Sequence, residues 1–187
     1  MEEVIRRMEK RDAAQAAAIE QVCFSEPWSR EAFEATLLLP YAAYYVAEEA
    51  ADGLLLSDDG QEYRAEGGAA SKTGDGVEGA GSGASEDGLR APRILGICGV
   101  RKIMGEGEIT NVAVLPTHRQ RGVARRMLER LLSEARQEGV TSFTLEVRSG
   151  NTAAIRLYES LGFQVEGRRS RFYRKPEEDA LILWRRV

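Results

Sequence analysis

The order of hydrophobic periodicities in the second half of the chain is the feature that most constrains its fold. Residues 108–115 contain apolar side chains at strand-like spacing, and Pro116 ends the predicted strand. A helix is predicted next over 123–138, ended by Gly139, because apolar side chains recur there at helical spacing: Met127, Leu128, Leu131, Leu132 and Ala135. A strand followed by an amphipathic helix indicates a sheet with helices packed on it.

A second strand and helix follow directly. Residues 143–148 alternate strictly, which predicts a half-buried strand with Glu146 on the face opposite Leu145 and Val147. The remaining predicted elements of this half are a helix capped by Asn151 and two final strands: 152–160, 164–173 and 180–184. The predicted fold class is α/β (α+β), with a mixed central sheet flanked by helices.

The secondary-structure signals in the first half of the chain are weaker. Asp12 and Gln15 are spaced as a capping box that opens a helix over 13–22. A second helix is predicted to carry Phe33, Leu37 and Leu38. Strands are expected on both sides of a long intervening stretch, at 44–47 and 94–100, and the simplest pairing is a hairpin with a greatly lengthened turn.

That intervening stretch, residues 51–92, differs in composition from the rest. It holds ten of the 19 glycines of this 187-residue chain and is dominated further on by Gly, Ala, Ser and acidic residues. Such a segment cannot bury enough apolar surface to offset its ordering entropy, so we expect a flexible insert within one domain spanning 1–187, with Leu54-Leu55-Leu56 extending a strand. Nine acidic and three basic side chains give it a charge of -6, which leaves +2 for the remainder of a chain with net charge -4.

Composition excludes several classes of protein. The net charge of -4 argues against a polybasic nucleic-acid binder, and no apolar run is long enough to cross a bilayer. The first residues lack the order of a signal peptide, so a cytoplasmic protein is expected. With a single histidine and no CxxC pair, no His/Cys metal site is predicted. Cys23 and Cys98 are interpreted as two reduced thiols in preference to one buried disulfide.

The polar turn between the predicted strand and helix, at residues 119–122, is a candidate binding site. Backbone N–H groups are unpaired at a helix start, and the helix dipole adds positive potential there, so a pyrophosphate is a suitable ligand. Gly122 and Ala124 let the backbone approach phosphate oxygens, and Arg119 and Arg121 supply charge. Neither the dinucleotide fingerprint nor a Walker loop is present, because their further glycines and Gly-Lys-Ser/Thr are missing. Glycine at such a turn can also be purely structural.

Two motifs in this order resemble a known family. Asn111-Val112-Ala113-Val114 followed by Arg119-x-x-Gly122-x-Ala124 resembles the acetyl-coenzyme-A site of the GNAT N-acetyltransferases. The segment 145–163 is similar to the signature of the branch that acetylates N-terminal alanine. Glu26-Pro27-Trp28-Ser29 and residues 169–173 resemble that branch's substrate-side loop and last basic-aromatic strand. The resemblance covers essentially everything outside 51–92 and implies the GNAT acyl-CoA N-acyltransferase fold.

The resemblance implies acetyl-CoA as co-substrate, no metal, and a role for each matching residue. Glu146 is expected as general base and Tyr158 as general acid. The backbone of Val112, Ala113 and Val114 is expected to hold the pantetheine arm and polarise the thioester. The other expected cofactor contacts are the turn that binds the pyrophosphate and one helix cap: Arg119, Gln120, Arg121, Gly122, Val123, Ala124, Arg125 and Asn151.

These roles are consistent with elementary chemistry, although plainer interpretations remain open. An α-ammonium has a pKa of about 8, so a carboxylate can take its proton directly or through water. Glu146 can also be an exposed strand residue, Tyr158 a packing residue, and Trp28 either a wall of the substrate pocket or a core anchor. No Ser/His/Asp or Cys/His set is available, which favours direct attack by the amine in a ternary complex.

The function implied is transfer of acetyl to the N-terminal amine of a protein, preferably an N-terminal alanine and that of a small-subunit ribosomal protein. No direct nucleic-acid or membrane partner is expected. One alternative is a GNAT enzyme that acetylates lysine side chains or a small amine. The other is a CoA-binding adaptor in which the acidic insert is the functional element.

Overall fold

The computed structural model describes residues 3–49, 54–56, 62–64 and 93–187. Four helices lie within them: α1 Ala13–Cys23, α2 Arg30–Leu37, α3 Val123–Gln137 and α4 Thr152–Ser160. The strands are β1 Glu3–Arg7, β2 Ala42–Glu49, β3 Leu54–Leu56, β4 Glu62–Arg64, β5 Ile94–Ile103, β6 Glu106–Val114, β7 Ser142–Arg148, β8 Gln164–Arg174 and β9 Glu177–Arg186. Single 3₁₀ turns precede α1 and follow β6, at Lys10–Asp12 and Pro116–His118.

Seven of these strands form one mixed sheet, which confirms the predicted fold class. The strand order is β1-β2-β5-β6-β7-β9-β8. Neighbouring strands are antiparallel except β6 and β7, which run parallel and are joined by α3. A parallel pair requires such a crossover, because the chain must return to the edge where the first strand began.

Helices cover both faces of the sheet. On one face α3 and α4 bury Met127, Leu131 and Tyr158 against the alternate β7 side chains Phe143, Leu145 and Val147. On the other face α1 and α2 pack on the central strands, in a cluster that includes Ala16, Phe33, Tyr44, Val46 and Ile97. Within the described ranges, no helix is long and apolar enough to cross a membrane.

The predicted capping box of α1 is wrong in detail. Asp12 directly precedes the helix, but its carboxylate makes no cap hydrogen bond to it. Instead the carboxylate accepts from the Arg6 guanidinium at 2.7 and 2.9 Å and from the Glu9 N–H at 2.8 Å. In a capping box the Asp12 carboxylate would accept a hydrogen bond from the Gln15 backbone N–H. It bonds an arginine of β1 instead, and local sequence spacing cannot predict that contact.

The hairpin flanking the insert is confirmed. β2 and β5 are antiparallel neighbours, and the Glu49 N–H donates to the Arg93 carbonyl at 2.9 Å, so the two ends of the insert are held together. Leu54–Leu56 does not lengthen β2 as expected, because it pairs with Glu62–Arg64 in a separate two-stranded sheet. The rest of the predicted flexible stretch lies outside the described residues. Leu38, expected on α2, follows that helix and is exposed.

Candidate active site

The site begins where β6 and β7 stop pairing. Their parallel ladder runs from Glu106 opposite Ser142 to Ile109 opposite Leu145, and no further pair joins them in the part of the chain that the structure describes. At the same level β6 contains a bulge, because Ile109 and Asn111 oppose consecutive β5 residues and leave Thr110 without a partner. A bulge bends its strand, so a gap opens between the carboxyl-terminal halves of β6 and β7.

The β6 side of the gap is a backbone edge. The Val114 carbonyl accepts a hydrogen bond from Arg119 Nε at 3.1 Å and one from the Cys23 thiol at 3.5 Å, so it points away from β5. Peptide groups alternate in direction along an antiparallel strand, so the peptide groups of Val112 face the same gap. Ala113 instead buries its side chain in the α1/α2 core. This edge matches the predicted segment 112–114 and offers donors and acceptors to an extended ligand.

The start of α3 lies beside this edge. Gln120 and Gly122 both have positive φ, at 60° and 80°, which folds residues 119–122 into a tight turn. Gly122 is the N-cap and has no side chain to bond the first helical N–H groups, those of Val123, Ala124 and Arg125. A Cβ on Gly122 would come 2.8 Å from the Arg126 guanidinium. The turn thus presents free N–H groups and positive charge, which suits a pyrophosphate.

Arginines surround that turn in different ways. Arg119 folds back so that its guanidinium bonds the Val114 carbonyl and lies 3.5 Å from the Cys23 sulfur. Arg125 donates to Ser160 Oγ at 2.6 Å. Arg121 is exposed and has no ion-pair partner among residues 3–49 and 93–187. Arg121 is therefore the arginine of the turn most available to a phosphate, and Arg119 would have to leave Val114 to reach one.

Glu146 lies on the β7 side of the gap. Because Leu145 and Val147 are buried under α3 and α4, Glu146 projects from the opposite face, as the alternation predicted. Its side chain is half-buried, and its carboxylate lies 2.9 Å from the Arg169 guanidinium of β8. This ion pair could not be expected from the sequence, because β8 is not a direct neighbour of β7 in the sheet. β9 lies between the two strands.

Tyr158 approaches from α4. Its ring is 7% exposed and packs edge-on against Phe163 at 5.9 Å. Burial raises the pKa of its hydroxyl, and the nearby Cys98 and Tyr173 raise it further. The hydroxyl has no hydrogen-bond partner in the described ranges. A protonated hydroxyl without a structural partner is free to donate to a ligand, and removing it would cost no existing hydrogen bond.

Tyr173 connects the two predicted catalytic residues. Burial raises its pKa, the Glu146 carboxylate raises it further, and the Arg148 guanidinium opposes both. Arg148 lies 4.2 Å from the Tyr173 ring centroid. The Glu146 carboxylate raises the pKa of Tyr173, and Tyr173 in turn raises the pKa of Tyr158, so Tyr173 lies within electrostatic range of both predicted catalytic residues.

Arg148 also ties together two loops. It donates to the backbone carbonyls of Lys175 and Pro176 at 3.0 and 3.1 Å, in the β8–β9 turn. It also donates to Glu178 Oε2 at 3.2 Å and to Ser25 Oγ at 3.4 Å, the latter in the loop between α1 and α2. The sequence analysis gave Arg148 no role, since only the folded chain brings these loops together.

Two other predicted residues have structural contacts as well. Asn151 caps α4 as expected, with its side chain accepting from the Ala154 N–H at 3.2 Å, and its exposed position leaves its amide nitrogen available. Trp28 packs against Phe33 at 5.4 Å and Tyr44 at 6.0 Å between ring centroids. Trp28 is therefore a core anchor, and it remains half-buried at the edge of the α1/α2 layer.

Sequence reasoning missed a buried polar cluster under β6. Glu20 is only 1% exposed and accepts from the Asn111 side-chain amide at 2.9 Å. A signal for it existed: Glu20 lies on the same helical face as Ala13, Ala16 and Ala17, where a charged residue is unexpected. Both cysteines are free thiols, and no cluster of three metal-ligating side chains occurs in the described residues.

The arrangement fits a long anionic thioester. The backbone edge at 112–114 can hydrogen-bond an extended amide-containing arm, and the turn at 119–125 can bind phosphates at its far end. At the near end, β7 supplies the Glu146 carboxylate on one face of the sheet and α4 supplies the Tyr158 phenol on the other. Together they allow a proton to be removed from a nucleophile and given to a leaving group.

Comparisons with known proteins point to one family. The family model described as "Acetyltransferase (GNAT) family" matches residues 13–163. A Bacillus subtilis (strain 168) protein, provisionally named a ribosomal protein bS18-alanine N-acetyltransferase, is 26% identical over 96% of this chain and 93% of its own length. The enzyme of that name from Escherichia coli (strain K12) is 41% identical, over 43% of this chain and 56% of its own length.

Solved structures show the same fold. The crystal structure of the ribosomal-protein-S18-alanine N-acetyltransferase from Escherichia coli superposes with a TM-score of 0.72 at 24% identity, covering 100% of this chain and 94% of that one.

Proposed function

Since the chain belongs to the acetyltransferase (GNAT) family and is an acyltransferase, we propose that it transfers the acetyl group of acetyl-CoA to the N-terminal α-amine of a protein. The preferred acceptor is an N-terminal alanine, and the proposed protein substrate is ribosomal protein bS18. The relatives that bear this name support the assignment. The observation that carries it is the gap where β6 and β7 stop pairing, with Glu146 on β7 directly after the last pair, Ile109 opposite Leu145.

The acetyl donor would bind along the gap. The edge formed by the backbone of Val112, Ala113 and Val114 would hold its arm and polarise the thioester carbonyl, with the Val114 carbonyl already bonded to Arg119 and Cys23. The turn from Arg119 to Arg125 would hold its pyrophosphate. Acetyl-CoA supplies an activated acyl group whose thiol leaves readily. Asn151, which follows β7 and caps α4, would add a polar contact to the cofactor.

The amine would approach from the face that bears Glu146. The carboxylate takes a proton from the α-ammonium, directly or through one water, and the neutral nitrogen attacks the carbonyl carbon. A C–N bond forms and the C–S bond breaks. Tyr158 gives its proton to the departing thiolate, which leaves as a thiol. The nitrogen loses its second proton to give the amide, the phenolate is reprotonated through solvent, and Glu146 releases to solvent the proton that it took. General acid–base groups of this kind contribute about 10²–10⁴-fold to rate.

The loops tied together by Arg148 lie on the amine side and would form the walls of the acceptor pocket. Trp28 lies in one loop and Tyr173 next to the other, so each offers an aromatic surface near the amine.

The test is mass spectrometry of a peptide panel incubated with the full chain and acetyl-CoA. A peptide with the N-terminal sequence of bS18 should gain one acetyl group at its α-amine. Matched controls are the same peptide with a blocked N-terminus and an internal lysine, and peptides that begin with residues other than alanine. Acetylation confined to the lysine control would refute the α-amine assignment, and equal rates on all N-termini would refute the preference for alanine.

A further inference from the structure

Glu20 is a buried carboxylate that the acetyl-transfer chemistry above does not use. It lies on α1, facing β6, and only 1% of its surface is exposed. One oxygen accepts from the Asn111 side-chain amide at 2.9 Å, and the other accepts from the Trp28 backbone N–H at 3.2 Å. Burying a carboxylate is costly unless it is hydrogen-bonded, so the two partners are the reason that it is tolerated.

The hydrogen bonds continue beyond Asn111 to the bulge of β6. The Tyr44 hydroxyl lies 3.1 Å from Asn111 Oδ1 and 2.8 Å from Thr110 Oγ1. Thr110 is the extra residue where β6 leaves β7. The Tyr44 ring reaches this position because it lies across Gly99, where an added Cβ would come within 2.1 Å of the ring.

Glu20 is therefore connected to both sides of the candidate active site, through Asn111 on one side and Trp28 on the other. Through Asn111 it reaches the start of the free backbone edge at 112–114. Through the Trp28 N–H it holds the loop between α1 and α2, which also carries Ser25, a contact of Arg148.

We propose that Glu20 is a positioning residue for acetyl transfer, which sets the opening between β6 and β7 through Asn111 and the acceptor-side loop through Trp28. The proposal rests on the proposed function for the reaction that it serves. The effect on CoA binding does not depend on which amine is acetylated.

The role needs the shape of the network rather than the charge of Glu20. A glutamine in its place can accept from the Trp28 N–H and donate to Asn111, if the Asn111 amide turns over and donates to the Tyr44 hydroxyl. Every donor then still has an acceptor, since the Tyr44 hydroxyl keeps Thr110. An alanine instead leaves the Asn111 Nδ2 and the Trp28 N–H without the acceptor that Glu20 supplied.

The experiment compares the full-length wild type with Glu20→Ala, Glu20→Gln and Asp12→Ala. Asp12 is the matched control, because it is also a buried α1-side carboxylate, 2% exposed, but it bonds Arg6 and Glu9 far from the gap. Free CoA is titrated calorimetrically, melting temperatures are measured, and kcat and KM are determined with the bS18 peptide. Tyr44→Phe, which removes only the link from Asn111 to Thr110, replaces Glu20→Ala if that variant does not fold.

We expect Glu20→Ala to raise the Kd for CoA about tenfold and to raise the peptide KM, since two coupled contacts are lost. Tyr44→Phe should raise the Kd by about threefold, Glu20→Gln should remain within about threefold of the wild type, and Asp12→Ala should lose stability without a change in Kd. The proposal is overturned if Glu20→Ala binds CoA normally, if Asp12→Ala weakens CoA as much, or if Glu20→Gln is as defective as alanine. A wild type that binds CoA but acetylates no α-amine would refute the proposed function alone.

Discussion

The guanidinium of Arg169 lies 2.9 Å from the carboxylate of Glu146, so the group proposed to accept the amine proton is held by a cation on β8. The Arg169 side chain is 56% exposed. Exposed ion pairs contribute about 0–1 kcal/mol, so this pair orients the carboxylate without preventing it from meeting an incoming amine. The same contact links the central strand β7 to the edge strand β8, on the face where the acceptor would bind.

Glu146→Gln should lower kcat by about 10²-fold or more, because the amide keeps the shape of the carboxylate but cannot accept a proton. The Kd for CoA should not change. Arg169→Gln is the matched variant and should lower kcat by less than about threefold, since an exposed ion pair is weak. Steady-state kinetics on the bS18 peptide decide the matter: a wild-type rate for Glu146→Gln removes the base assignment, and an equal loss for Arg169→Gln makes the guanidinium part of the site.

Tyr158→Phe should also lower kcat by about 10²-fold while leaving the melting temperature nearly unchanged, because the hydroxyl has no hydrogen-bond partner in the described ranges. Tyr45→Phe is the control: Tyr45 is also a buried tyrosine, but its hydroxyl donates to Glu134 at 2.7 Å. That variant should lose stability and keep its activity. Measuring kcat and the melting temperature of both variants in parallel tests this prediction.

The raised pKa of Tyr158 predicts a second property of the wild type. A general acid works only while protonated, and a pKa above the ordinary value of about 10 keeps this phenol protonated throughout the usual assay range. The kcat profile should therefore show no fall due to Tyr158 up to about pH 10. A basic limb below that pH that disappears in Tyr158→Phe would contradict the environment described for this residue.

Gly122→Ala should weaken CoA binding by about tenfold, because Gly122 has φ of 80° and an added Cβ would meet Arg126 at 2.8 Å. Gly139→Ala provides the control at the other end of α3. Gly139 has φ of 91° and open space around its Cβ position, so both variants carry the same left-handed strain. Equal losses of melting temperature with a CoA defect in Gly122→Ala alone would support the phosphate turn, and a CoA defect in both would argue against it.

Features set by residues close together in the sequence could be predicted, and features set by distant pairing could not. The predictions of an alternating strand around Glu146 and of a helix cap at Asn151 were correct, because each depends only on residues nearby in the sequence. The β6–β7 gap was not derivable from spacing, since it arises from a bulge at Thr110 and a parallel pairing that ends at Ile109. Pairing partners distant in sequence decide such features, and for the same reason Arg148 and Arg169 had no predicted contacts.

Replacing residues 50–92 by a short Asn-Gly turn should leave acetylation of the bS18 peptide within about twofold of the wild type. The reason is that β2 and β5 pair up to the base of the insert, where the Glu49 N–H donates to the Arg93 carbonyl, so a tight turn can join them. Kinetics and CoA titration of this variant test the expectation. A folded variant that had lost peptide turnover but still bound CoA would make the insert part of the function, as the adaptor alternative requires.

The two buried acids of the α1 side should respond to pH in opposite directions. Burial pushes the pKa of Asp12 upward, but hydrogen bonds from Arg6 and the Glu9 N–H outweigh it, and the pKa is lowered overall. Its contribution to folding is therefore present above its unfolded pKa of about 3.9 and lost as pH falls through the lower folded value. Asp12→Asn should melt below the wild type at pH 7, by a margin that closes toward about pH 3.

Glu20 should show the reverse. Burial raises its pKa, and the hydrogen bonds from Asn111 and the Trp28 N–H compensate only in part. The folded state then holds this proton more tightly than the unfolded state, so stability falls as pH rises from the unfolded pKa, about 4.3, through the folded one. Glu20→Gln removes the ionisation and keeps the network, so its melting temperature relative to the wild type should rise as pH increases above the unfolded pKa of about 4.3. A difference that instead fell with pH would mean that the fold prefers the charged carboxylate, and that the network around Asn111 depends on its charge.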